Sequence, residues 1–274
     1  MGDDWQSIYR FTGSDISIMT DFENYFEFCE TCFLQETFRF NNKLCEFSTK
    51  FILQNPIQIK KEITSNKIKD GPAVTLIQNN TGNVIRKILK DIPYSSDEKR
   101  TVFIIGRYNA LKPDYLRDLN YDFPDLDIKY STVHRSKGLE ADFVILIGLT
   151  SGRHGFPCEI VDDPVLNLVL TKEDSFPNAE ERRLFYVALT RAKKHLYLVV
   201  DDSNGSSFVS EIQKGGYDFR LFGTKVDVSI CPICKTGIII KKMGKNGEFY
   251  SCNNYPYCVY IARDCPDCQK GSEI

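Results

Sequence analysis

The chain has 274 residues, 42% hydrophobic and 26% charged, which suits one large domain, or a medium domain with an appendage, and excludes a disordered chain. Its 35 Lys and Arg against 37 Asp and Glu leave a net charge of -2, so no overall basic field announces a polyanion, although a local basic groove would serve one. No apolar run is long enough to cross a bilayer and no signal peptide opens the sequence, so a soluble, cytoplasmic protein with reduced thiols is expected.

The opening stretch "MGDDWQSIYRFTGSD" carries dense polar chemistry with no structural lead-in, as in a fragment of a longer protein. Amphipathic helical patterns follow, over the aromatic-rich Asp21–Cys32 and then Asn41–Leu53, with Cys29 and Cys32 read as core thiols. Lys60–Asp70 is polar and charged, a linker or exposed excursion. From Ala73 the pattern alternates. Strands are expected at Ala73–Asn79, Thr101–Gly106, Ile128–Val133, Asp142–Leu149 and His195–Val200. Helices are expected at Asn83–Asp91, Pro113–Leu119 and Glu180–Ala192. Pro, Gly and Asp between Thr150 and Pro177 mark a surface loop. Short, continuously apolar strands separated by helices predict an α/β fold, a parallel sheet covered on both faces. From Lys225 the composition turns to Cys, Lys, Gly and Tyr, and a second, small domain is expected there.

Two stretches carry the chemistry of the larger domain. "STVHRSKGLEADFVILIGL" places Lys137, Gly138 and Glu140 in a short connection between strands. In open α/β sheets ligands sit beyond the carboxyl ends of strands, and a Gly beside a Lys there lets the backbone approach a phosphate. Lys-Gly taken alone is equally an ordinary turn with a solvated lysine. In "ERRLFYVALTRAKKHLYLVV", Leu184, Phe185, Val187, Ala188, Leu189 and Ala192 cover most of the helix circumference, so the helix is buried on more than one side. Arg191, near its end, must find an anion or water: either Glu180 or Glu181 in a buried ion pair, or a ligand from outside.

These two stretches resemble motifs V and VI of the UvrD/Rep-type superfamily-1 DNA helicases. "GDDWQSIYRFTGSD" resembles motif III of that family, "LQETFRFNNKL" (Leu34–Leu44) resembles motif IV, and "RTVFIIGRYNALK" (Arg100–Lys112) is similar to the segment after motif IV. All occur in the family's order, from Gly2 to about Val200. The resemblance implies a second RecA-like motor domain over residues 34–224, preceded by a motif III remnant and connecting helix of the first motor domain over residues 1–33. It implies that Gln6 senses the γ-phosphate of ATP, that Phe38 stacks on adenine, and that Arg39 and Arg191 reach the γ-phosphate, Arg191 as arginine finger. Glu140 falls near the ribose, with Lys137 and Gly138 in the same nucleotide-facing loop. Tyr9, Arg10, Phe11 and His134 match positions facing single-stranded DNA, with Arg107 and Asn109 as further backbone contacts. Thr12 departs from the pattern, where a second arginine is common.

The sequence contains no G-x-x-x-x-G-K-[ST] loop and no Asp-Glu Mg²⁺-binding strand, which in this family lie upstream of motif III. ATP with Mg²⁺ would therefore be held by a first motor domain missing from this chain, and the chain alone is expected to have no ATPase. About two dozen residues separate Asn109 from Val133, too few for the family's large helical insertion, which points to the helicase IV-like branch. The family implies 3'→5' polarity.

In the tail, "CPICKTGIIIKKMGKNGEFYSCNNYPYC" gives C-x₂-C, a basic hairpin, then C-x₅-C. Cys231, Cys234, Cys252 and Cys258 would complete a closed, structural Cys₄ site for Zn²⁺. The pattern resembles the C-terminal zinc ribbons of bacterial type I topoisomerases. Lys241, Lys242 and Lys245 beside Phe249, Tyr250, Tyr255 and Tyr257 suit single-strand binding, or the rings pack the small ribbon. Cys265 and Cys268 repeat the opening of a ribbon. The ribbon domain is expected over residues 225–274. The alternative to a helicase part is a non-enzymatic nucleic-acid-binding or regulatory module working through the ribbon.

Overall fold

The computed structural model describes residues 2–79, 83–93, 99–160, 176–201 and 205–222, then 232–233, 239–244, 247–252 and 258–262. It divides into two compact units, Met1–Phe222 and Gly223–Ile274. No helix among the described residues is long and apolar enough to cross a membrane.

In the first unit two short strands, β1 (Glu36–Thr37) and β2 (Thr64–Ser65), pair in parallel. The main sheet comprises β3 (Val74–Asn79), β4 (Arg100–Gly106), β5 (Leu126–Thr132), β6 (Ala141–Leu149), β7 (Ala192–Asp201) and β8 (Arg220–Leu221). Their order is β5-β4-β6-β7-β3-β8, and every pairing is parallel. Successive side chains of a strand point to opposite faces, so an apolar run feeds two cores at once. Leu76, Phe103, Ile105, Val144, Leu146 and Leu198 enter one; Ile77, Val102, Ile104, Phe143, Ile145 and Tyr197 enter the other.

The described α-helices are α1 (Ser17–Thr20), α2 (Phe22–Tyr25), α3 (Asn42–Ile52), α4 (Val84–Asp91), α5 (Leu116–Asp122), α6 (Val133–Ser136), α7 (Ala179–Leu189) and α8 (Ser207–Lys214). Helices α3, α7 and α8 cover the first face and α4 and α5 the second, giving the expected doubly covered sheet. Asn41 caps α3 by accepting from the Leu44 amide, and its side-chain amide donates to the carbonyls of Lys193 and Lys194, fixing the helix start against β7.

Four local expectations are corrected. Asp21–Cys32 is not one helix: it holds only the single turn α2, and Phe28 has φ +57°, outside the helical range. Its aromatics lie largely exposed, and Cys29 and Cys32 are half-buried and exposed, so they are not core thiols. The short helix after β4 runs Leu116–Asp122, three residues later than Pro113–Leu119. Lys60–Asp70 is not a free excursion, since Lys61 and Ser65 are tied to buried partners. Residues 161–175 of the expected surface loop lie outside the described residues.

In the second unit β9 (Ile239–Gly244) and β10 (Gly247–Cys252) form an antiparallel hairpin, and β11 (Ile261–Ala262) adds to β10. This is the hairpin expected between the two cysteine pairs.

Candidate functional site

A parallel sheet has two distinct rims, and the chain places different chemistry on each. Glu140 immediately precedes β6 and Arg191 precedes β7, so both stand at the amino rim and not at the carboxyl ends where Lys137, Gly138 and Glu140 were expected. The reason is topological: after α6 the chain must return across the sheet before β6 can start parallel to β5. Arg191 also lies beyond the end of α7, past the Thr190 cap.

Arg191 is fully buried. It donates through Nε to the Val187 carbonyl at 2.7 Å, through Nη1 to the Leu139 carbonyl at 3.1 Å and through Nη2 to Thr190 Oγ1 at 2.9 Å. Among the described residues, these three bonds leave two of its five donors uncommitted. Burial, then the nearby Arg39 charge, pushes its pKa down to about 10, so it stays cationic at neutral pH. Glu180 and Glu181 occupy the first turn of α7, one helix length or about 16 Å away, and serve other partners. Arg39 Nε lies 3.3 Å from Glu140 Oε2, and Lys193 Nζ lies 2.7 Å from Glu140 Oε1. One carboxylate thus bridges two cations. The Lys193 hydrogen bond holds Glu140 below the usual carboxylate range, outweighing desolvation, with Arg39 adding to it. Lys193 escaped the sequence reading, although its position two residues beyond Arg191 puts both on one side of the incoming strand.

The segment Asp3–Thr12 lies between the rims. Asp4 and Trp5 anchor it: Asp4 is fully buried, pairs with Lys61 and accepts from Gln58 and the Ile59 amide, while Trp5 Nε1 donates to the Ile59 carbonyl. Lys61 also reaches Asp3 at 2.8 Å. No local spacing could have revealed this partner, since it lies more than fifty residues away in sequence. The Gln6 amide donates to Asp3, whose negative charge also acts on Arg191. Lys137 Nζ donates to the Gln6 carbonyl at 3.0 Å and sits 4.9 Å from the centre of the Tyr9 ring. Gly138 has φ +85° and open space around it, a conformation that favours glycine. Phe38, beside Arg39, is 69% exposed.

At the carboxyl rim Tyr9, Phe11 and His134 come together. Ring centroids are 6.1 Å apart for Tyr9–Phe11 and Tyr9–His134 and 5.5 Å for Phe11–His134. Phe11 is 53% exposed and leaves a ring face to solvent. Burial, then the Arg107 charge, pushes the His134 pKa down to about 4, so the imidazole is neutral. The Arg10 backbone amide donates to Glu180 Oε1 at 2.9 Å. Arg107 is held by Glu181 through Nη2 at 2.8 Å and lies over the Tyr108 ring. Asn109 is exposed and opens a single 3-10 turn.

In the second unit Cys252 ends β10 and Cys258 is buried, whereas Cys231 and Cys234, like Cys265 and Cys268, lie outside the described residues.

Residues 84–203 match the family described as UvrD-like helicase C-terminal domain, and residues 228–264, which contain Cys231, Cys234, Cys252 and Cys258, match the topoisomerase DNA binding C4 zinc finger. Over 209 residues the chain is 40% identical to DNA helicase IV of Escherichia coli (strain K12), covering 76% of this chain and 30% of that protein. Over 61 residues it is 41% identical to DNA topoisomerase 1 of Rickettsia bellii (strain RML369-C), covering 22% of this chain and 8% of that protein. A solved structure, the C-terminal domain of a "possible DNA helicase" from Lactobacillus (strain WCFS1), aligns with TM-score 0.38 and 18% identity over 68% of this chain and 99% of that one. The chain thus spans under a third of the length of the helicase it matches. Residues 84–203 are thus similar to the UvrD-like helicase C-terminal domains, and residues 228–264 of the tail to the topoisomerase-type C4 zinc ribbons.

Proposed function

We propose that this chain is the second motor half of an ATP-dependent DNA helicase or translocase of 3'→5' polarity, joined to a zinc ribbon. The observation that carries the reading is the amino rim, where Arg39 and Arg191 act on each other electrostatically and, among the described residues, the carboxylates of Glu140 and Asp3 offset them. A triphosphate held by a partner lobe would meet two guanidinium groups there. Charge spreads over the equatorial phosphate oxygens in phosphoryl transfer, and planar, permanently charged donors stabilise it best. Arg191 has two donors to offer, Arg39 can exchange Glu140 for phosphate, and Gln6 stands between them and the strand-facing rings. Mg²⁺ bound with the nucleotide would supply further neutralisation of the phosphate charge. On the opposite rim, Tyr9, Phe11 and His134 would stack on single-stranded bases, a sequence-tolerant grip suited to stepping. In the tail, Cys231, Cys234, Cys252 and Cys258 would hold Zn²⁺ as a closed thiolate site that orders the ribbon.

The test is a chimaera in which this chain replaces the matching segment of E. coli helicase IV. It is expected to turn over ATP in the presence of single-stranded DNA, and Arg191→Ala to lower kcat by about three to five powers of ten with DNA affinity retained. The chain alone is expected to show no turnover. An Arg191→Ala chimaera that keeps its ATPase would overturn the assignment.

A further inference from the structure

The amino rim carries a second group of cations that the nucleotide chemistry leaves unused. The sheet register sets Arg220 on β8 opposite Thr75 on β3, and Thr75 Oγ1 lies 2.7 Å from His195 Nε2 on β7. Lys69, in the connection leading into β3, holds its ammonium 3.3 Å from His195 Nδ1 and 3.3 Å from the Lys194 carbonyl. An ammonium cannot accept, so Nδ1 accepts and Nε2 donates to Thr75. The imidazole is therefore a neutral bracket that fixes Lys69, and one of the three ammonium donors remains to spare. Arg220 is exposed and lies over the bare backbone of Gly71, where an added Cβ would stand 3.4 Å from Nη2. Lys67, also exposed, extends the row toward Arg39 by donating to its carbonyl at 3.3 Å.

Among the described residues, none of Lys67, Lys69 and Arg220 forms an ion pair with a carboxylate. Burial, then the Arg220 charge, pushes the Lys69 pKa down. Like charges held together in this way repel until an anion joins them. A spare ammonium donor beside a planar guanidinium suits the oxygens of a phosphate.

We propose that Lys67, Lys69 and Arg220 form a phosphate site that grips the backbone of a nucleic acid at the amino rim, apart from the Tyr9–Phe11–His134 face. Inorganic phosphate shares this chemistry, but a row of three cations along an open edge fits a polymer better than a single small ion. None of the three takes part in the arginine-finger reading, which bears here only on which polyanion is at hand.

The experiment measures binding of labelled duplex and single-stranded oligonucleotides to the full chain across a salt series. The Lys69→Met, Arg220→Gln double variant is expected to lose about tenfold in affinity at low salt, and its slope of log affinity against log salt to fall by about one to two. Arg220→Gln alone, a change at an exposed position, should carry part of that loss and guards against misfolding of the double variant. Lys87→Gln, which removes an exposed charge on α4, should leave affinity and slope unchanged. In a parallel titration, inorganic phosphate should shift the Gly71 and Arg220 amide resonances of the unmodified chain only. An unchanged salt slope, or an equal loss from Lys87→Gln, overturns the proposal; phosphate shifts without any effect on oligonucleotides overturn its polymer assignment. Phe11→Ala separates this site from the strand face. Loss of single-strand binding in Phe11→Ala with full binding in the rim variants refutes the rim site and leaves the motor reading standing, and the reverse pattern supports the rim site.

Discussion

His195 shows what burial does to a single ionisable group. Desolvation, then the Lys69 and Arg220 charges, pushes its pKa from the ordinary 6.5 down to about 3. An unfolded chain accepts a proton below pH 6.5 that the folded one refuses, so stability is full above that value and falls as the pH drops toward 3. The slope in that window is up to about 1.4 kcal/mol per pH unit. Urea unfolding between pH 7 and pH 4 should show this loss, and His195→Gln should flatten it; parallel curves would assign the acid sensitivity elsewhere. The sequence placed His195 at the start of a strand but offered no sign of Lys69 or Arg220, which the sheet brings to it from other parts of the chain. Arg39 and Arg191 stood out in the sequence because the motif resemblance points to their positions. Lys61 and Lys193 did not, because what makes them notable is a carboxylate distant along the chain.

Among the elements, α7 is buried almost throughout, and Phe185 lies at the centre of its packing. Its ring stands 4.9 Å from Phe51, 5.1 Å from Phe156 and 5.3 Å from Phe208, joining α3, α7 and α8. Phe185→Ala should cost about 3–5 kcal/mol of unfolding free energy, read from the denaturation midpoint at unchanged slope. A loss below about 1 kcal/mol would mean that the three rings close over the gap. The strands were easy to read because burial on both faces leaves a continuous apolar signature. Asp21–Cys32, which holds only the single turn Phe22–Tyr25, was misread as a helix because aromatic spacing suggests helix without any large buried face to stabilise it. Helix α8 was missed altogether: it is short, and its burial depends on α3 and α7 being already in place.

At the scale of the whole molecule, the chain joins a unit stabilised by two apolar layers to one with few described buried residues. Small ribbons bury too little surface to fold unaided, so metal binding and folding are coupled there. Chelation should abolish the structure of Gly223–Ile274 while the thermal transition of Met1–Phe222 stays in place; a single transition, unchanged by chelator, would count against a metal-dependent ribbon. The composition shift marked this division in the sequence, whereas the assignment of chemistry to opposite rims needed the strand directions. That assignment has a mechanical consequence. Eleven residues of tightly packed helix run from the carboxylates that hold Arg10 and Arg107 to the turn that carries Arg191. A close-packed rod does not stretch, so any displacement imposed at those carboxylates is handed on, nearly whole, to the guanidinium at its far end.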